Sequence, residues 1–172
     1  MDLIKRLRRL IRKRTMKIGH NISDFVFRHD LPCEPHVYDA ILHYHLIPIQ
    51  KVENQLDCKV MPTLVGFRDG GGSVYRHRQH ELERGRSGDS YHTFRDGKGA
   101  GDYSVTDFGQ FLVFAEQLID NTNFTRLCFY PDKHFIHCDY AAESPQFYIS
   151  TSNGWQLVDI DDFLETVEEN YK

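Results

Sequence analysis

No Cys-x-x-Cys pair occurs in this chain, and none of its ten histidines belongs to a His-Glu-x-x-His motif. The first absence argues against zinc knuckles and thioredoxin-type sites. The second removes the common zinc-protease signature. No apolar run is long enough to span a bilayer. The basic N-terminus is not followed by the apolar stretch of a secretory signal. Synthesis in a reducing cytoplasm is therefore expected, with Cys33, Cys58, Cys128 and Cys138 as free thiols. There is also no internal repeat, no low-complexity tract and no regular βαβ alternation. Helical segments followed by strands predict an α+β protein, a small antiparallel sheet with flanking helices.

What is present suits a packed domain. Of 172 residues, 40% are hydrophobic and 27% charged, an ordinary globular balance. That length predicts one domain, here residues 21–172, preceded by an appended arm over residues 1–20. The net charge is only −4, but it is unevenly spread. Lys5, Arg6, Arg8, Arg9, Arg12, Lys13, Arg14 and Lys17 crowd the arm. Leu3, Ile4, Leu7, Leu10 and Ile11 recur there at helical spacing, so residues 1–17 read as a basic amphipathic helix. It suits an anionic membrane surface, nucleic acid or an acidic protein partner; equally, it is a solvated basic face. Acidic residues crowd the C-terminal tail instead.

Along the domain, residues 22–31 form a short segment packing Phe25 and Phe27, closed by Pro32 and Pro35. Residues 36–47 carry a helical stripe of Val37, Ile41, Leu42 and His45. Residues 59–67 are β-prone and interrupted by Pro62, and residues 68–73 are a loop by composition. Phe108, Phe111, Leu112, Ala115, Leu118 and Ile119 predict a helix over 107–120, its apolar stripe facing the core. A β-hairpin follows, with strands 126–130 and 134–140 around the turn Pro131-Asp132-Lys133. Residues 146–151 predict a third strand, and residues 157–171 a short amphipathic helix. Trp155 reads as packing a helix on a sheet, or as a platform for substrate.

In the second hairpin strand, alternation sends Phe135, His137 and Asp139 to one face and Cys138 to the other. His134 is out of phase with His137 and turns away in a regular strand. Upstream, the stretch SYHTFRDGKGAGDYSV places His92 and Asp102 on either side of a glycine-rich bend. A catalytic zinc site uses three His or carboxylate ligands and one open position, and His92, Asp102 and His137 supply such a set. Asp139 is then a candidate partner of a ligand or a general base.

The same residues resemble a known family. The segments VYRHRQHELERGRSGDSYHTFRDGKGAGDY and HFIHCDY are similar to those of zinc-dependent D-alanyl-D-alanine carboxypeptidases and phage endopeptidases that cut peptidoglycan stem peptides (peptidase group M15). That family shows Ser-x-His-x-x-Gly-x-Ala-x-Asp, then a strand of Phe-x-His-x-Asp type. Ser90, His92, Ala100 and Asp102 match the first motif. Phe135, His137 and Asp139 match the second. The resemblance covers roughly residues 22–153 and implies a hedgehog/DD-peptidase-like fold. It implies Zn2+ held by His92, Asp102 and His137, with Arg76 of the Tyr75-Arg76 pair reaching a substrate carboxylate. Two departures stand out. His92 and Asp102 are ten positions apart where the family has seven, which reads as three residues looped out. The base lies between Asp139 and His134, and strand geometry favours Asp139.

The implied activity is hydrolysis of peptidoglycan peptides by a phage-encoded zinc peptidase without an organic cofactor. Such a protein, made without an export signal, would reach the cell wall after lysis, through a holin, or within a virion. Two other functions fit the same residues. One is a virion or assembly module that keeps the fold without peptidase activity; the other is a zinc protein used for binding alone.

Overall fold

The computed structural model describes residues 20–26, 35–62, 74–83 and 85–172. The basic arm, Phe27, Pro32, Cys33 and the 68–73 loop lie outside them. Helix α1 (Pro35–Ile41) runs through a π-turn (Leu42–Leu46) into α2 (Ile47–Glu53), longer than the predicted 36–47. Strand β1 (Val60–Met61) stops at Pro62, and α3 (Arg78–Glu83) follows. Strand β2 (Ala100–Val105) leads through a 3-10 turn at Phe108–Gln110 into α4 (Phe111–Asn121). The hairpin is β3 (Arg126–Tyr130) and β4 (Phe135–Asp139), joined by Pro131–Lys133. Then come β5 (Gln146–Thr151), β6 (Gly154–Val158) and α5 (Ile160–Asn170). The protein is thus α+β, a six-stranded sheet with flanking helices.

The sheet has the order β1-β2-β4-β3-β5-β6. It is mixed rather than wholly antiparallel as predicted, because β3 and β5 run parallel. The reason is a short link. Residues 140–145 leave the end of β4 and step past the start of β3. There Thr125 N–H donates to Asp139 O, and Gln146 N–H donates to Thr125 O. A strand entering on that side must run against β4 and therefore with β3. Strands β2 and β6 were not foreseen, and Leu157 and Val158 belong to β6 instead of the C-terminal helix.

One face of the sheet carries the core. Tyr103, Ile136, Leu127, Phe129 and Phe147 are buried there with Phe111, Phe114 and Leu118 of α4 and Phe163 and Val167 of α5. Phe111 meets Phe129, and Phe147 meets Phe163, with ring centroids 5.6 and 5.4 Å apart. Full burial of such side chains contributes about 1.5–3 kcal/mol each. With this face held by helices, alternation commits the in-phase residues Asp102, His137, Asp139 and Arg126 to the opposite face. That face is the floor of the site. No helix among the described residues is long and apolar enough to cross a membrane.

Candidate metal centre

Two pieces of backbone bring the ligand candidates together. Asp102 on β2 pairs directly with His137 on β4 in an antiparallel register, so both side chains stand side by side on one face. His92 comes from a 3-10 turn, Tyr91–Thr93, capped by Ser90, whose Oγ accepts from His92 N–H. The intervening loop must turn back sharply. Phe94 is left-handed (φ 58°), as is Gly99 (φ +77°). A Cβ on Gly99 would sit 2.3 Å from the Phe94 ring, and one on Gly101 would sit 2.4 Å from the Tyr103 hydroxyl. Only glycine fits either position.

A buried strut holds this loop from behind. His45, in the π-turn, is fully buried, and burial lowers its pKa to about 3. It is therefore neutral. Its Nε2 lies 2.8 Å from the Lys98 carbonyl, an acceptor only, so Nε2 carries the hydrogen and donates. Nδ1 then accepts the Tyr103 hydroxyl at 2.6 Å. In this way α1–α2 fixes both the glycine loop and the strand that bears Asp102. The sequence shows His45 only as part of an apolar stripe.

His92, Asp102 and His137 are all buried, and one ligand atom from each lies within 4.8 Å of the other two. His92 Nδ1 donates to Val74 O at 2.9 Å, which leaves Nε2 facing Asp102 Oδ1 at 3.5 Å as the nitrogen that a cation would take. His137 Nδ1 stands 2.8 Å from the same oxygen. Tetrahedral ligands about 2.0–2.1 Å from zinc are separated by about 3.3 Å. Two of the three spacings lie within about half an ångström of that value and the third is under 4.8 Å, so the three atoms border a space of the size a small cation needs. Each imidazole is fixed through its other nitrogen, the usual support for a metal-binding histidine. The donor set of two imidazoles and one carboxylate fits zinc.

Protonation follows from the same contacts. Burial pushes the His137 pKa down, but hydrogen bonds to Asp102 and Asp139 outweigh it and raise the value to about 9. Burial opposes ionisation of Asp102 too, yet the charge of His92 and the hydrogen bonds of both imidazoles hold it well below the carboxylate range. Burial dominates at His92 and lowers its pKa, against the pull of Asp102. Without metal, a proton on His137 Nδ1 occupies the place a cation would take.

The other predicted residues divide. Asp139 lies on the far side of His137, its Oδ2 3.0 Å from Nε2. It also accepts from Ala141 N–H at 2.9 Å and, through both oxygens, from Arg126 at 3.0 Å. Fully buried and held on three sides, it positions His137 and is not placed as a general base. His134 is not brought to the cluster. Its Nδ1 lies 2.9 Å from the Tyr171 hydroxyl and its ring stacks on Phe108 at 5.0 Å, both on the helix-covered face. Being one residue out of phase before β4, it turns away from the cluster, and the geometry does not place this candidate base at the site. Arg76 is at the site, with Nη2 donating to Asp102 Oδ2 at 3.1 Å and Nη1 4.0 Å from buried Glu81.

A cleft of about 450 Å³ opens over the cluster, lined among others by Arg76, Tyr91, Arg126, Tyr130, Lys133 and Trp155. The Arg126 guanidinium is sandwiched 5.1 Å from both the Tyr91 and Trp155 rings. Trp155 stands 5.3 Å from the His137 ring. Among the described residues it meets Arg126, Tyr130, His137 and Tyr148, and it is a wall of the cleft. Arg126 was missed, although the hairpin register sets it opposite Asp139 and that register can be counted from the turn.

Comparison with known proteins adds nothing to this geometry. No family model matches the chain, and neither the curated proteins nor the solved structures contain a match.

Proposed function

We propose that this protein is a zinc-dependent peptidase that hydrolyses peptidoglycan stem peptides, phage-encoded and built on a hedgehog/DD-peptidase-like fold. The observation that carries the proposal is the convergence of His92, Asp102 and His137 beneath an open cleft. A zinc ion bound there supplies Lewis acidity toward a peptide carbonyl and acidifies a water molecule. The chain's own residues do the rest. His92 and His137 present one nitrogen each, oriented by Val74 O and Asp139. Arg76, planar and permanently charged, has N–H groups beyond those that meet Asp102 and Glu81 with which to reach a peptide carboxylate. Tyr91, Tyr130 and Trp155 wall the cleft and would position a peptide over the cluster.

One observation favours a second reading, a virion or assembly module that holds metal without turnover. Asp102 is the sole carboxylate among the described residues that line the cleft, and it is a ligand. With Asp139 locked and His134 turned away, no described group of the cleft stands ready to take a proton. Metal content and hydrolysis of purified peptidoglycan, compared between wild type and His92→Ala, separate the two. One zinc per chain with cleavage lost in the variant supports the peptidase. Zinc without any release of peptide fragments by the wild type favours the module and ends the peptidase proposal.

A further inference from the structure

On the side of the cleft formed by β3, its turn and β6, the described lining residues Arg126, Tyr130, Lys133 and Trp155 carry hydrogen-bond donors and no carboxylate. The Tyr130 hydroxyl accepts the Trp155 indole N–H at 2.7 Å. Its own hydrogen therefore points elsewhere, and no described group accepts it. The Tyr130 ring is fixed by stacking on Phe135, with centroids 4.4 Å apart. The Lys133 ammonium lies 5.5 Å above that ring and has no carboxylate partner among the described residues. Arg126 commits Nε and Nη2 to Asp139, which leaves Nη1 without a described acceptor. The one carboxylate lining the cleft, Asp102, is already engaged by both histidines and Arg76. Oriented donors with a neighbouring unpaired cation select an anionic acceptor, and a polar group that has to be desolvated without such donors is rejected.

We infer that this wall is a carboxylate subsite, in which the Tyr130 hydroxyl and the Lys133 ammonium hold an acidic side chain of the peptide substrate while Trp155 fixes the hydroxyl. The subsite lies across the metal cluster from Arg76, which contacts β2. It rests on the peptidase proposal above and adds a second anionic anchor to it. The substrate class is then a peptide with one carboxylate at its end and another on a side chain near the cleaved bond.

The test uses the full zinc-loaded chain and two synthetic stem-type peptides. Both keep the terminal carboxylate. They differ only in one internal side chain, a carboxylate in the first and the corresponding primary amide in the second. Wild type is expected to show a KM about tenfold lower for the acid than for the amide, the size of a lost hydrogen bond to a charged group. Tyr130→Phe, which keeps the ring, and Lys133→Met should each erase most of that ratio through KM rather than kcat. Arg76→Gln should weaken both peptides alike. A wild type that handles acid and amide equally, or variants that retain its preference, overturns the subsite and leaves the peptidase proposal standing. A wild type that cleaves neither peptide nor purified peptidoglycan removes the peptidase proposal, and the subsite with it.

Discussion

Asp139 and His137, two residues apart on one strand, face each other through a 3.0 Å contact between Oδ2 and Nε2. In-phase neighbours on a strand share one face, which lets the two side chains meet. Arg126, directly across the hairpin, draws the Asp139 carboxylate toward β3 and fixes it there. The carboxylate then sets which nitrogen of His137 faces Asp102. Asp139→Asn keeps the shape and removes the charge. It should weaken zinc binding by about 10–100-fold, as loss of a partner behind a metal ligand does. Competition against a chromophoric chelator reads the effect. An unchanged affinity would show that His137 needs no such support.

Metal-free protein should lose stability on the alkaline side. The His137 pKa is about 9 in the fold against an ordinary 6.5. A raised value contributes stability that is complete below pH 6.5 and disappears as pH climbs through 9, on the order of 3 kcal/mol. His92 has the opposite sign: its lowered pKa penalises the fold as pH falls below the ordinary value. Thermal melts of the metal-free chain from pH 6 to 10 should show Tm falling above neutrality. His137→Ala should flatten that slope, and saturating zinc should reduce it by taking the place of the proton. A wild-type melt independent of pH in that window contradicts the protonated His137.

Zinc affinity itself should rise with pH over the same interval. The cation competes with the His137 proton for Nδ1, so each pH unit below about 9 weakens binding by up to tenfold. Isothermal titration in two buffers of different ionisation enthalpy would count the released proton. Zero release at pH 7 would sink this prediction.

His134→Ala should leave zinc content and any hydrolysis intact, because its ring contacts Phe108 and Tyr171 away from the cleft. The cost is confined to stability, about 1 kcal/mol for a lost hydrogen bond and ring contact. His137→Ala, three positions on, should abolish metal binding. Equal loss of metal in both variants would place His134 at the site after all.

Gly99→Ala tests the loop. The left-handed backbone and the 2.3 Å approach to Phe94 both oppose a methyl group. A loss of about 2 kcal/mol or more is expected, with weaker zinc binding because the loop joins His92 to Asp102. A variant as stable as wild type, by urea titration, would mean that the loop relaxes freely.

Much of this molecule was written along the chain. The hairpin, with its turn at 131–133, the helix at Phe111–Asn121 and the strand at Gln146–Thr151 followed from local periodicity and turn chemistry. So did the division of β4 into a face bearing His137 and Asp139 and a face bearing Cys138, since alternation is a property of the strand alone. That alternation also turned His134 away.

Other features depend on contacts between distant segments, which no local pattern encodes. Strand β2 hides inside a glycine-rich stretch that composition assigns to a turn; pairing with β1 and β4 makes it a strand. Strand β6 is exposed and its Trp155-Gln156-Leu157 alternation is too short to mark a strand, so pairing with β5 defines it. Without β6, Trp155 has no address, and its place on the cleft wall is invisible. The sequence by itself determined the identity of the ligand candidates and the face on which His137 lies. Tertiary structure decided that His92 and Asp102 meet it, that Asp139 stands behind His137 in the grip of Arg126, and that the cleft is walled by donors. Side-chain chemistry and strand period are local quantities. Register, crossover and burial are set only when distant strands compete for the same partners.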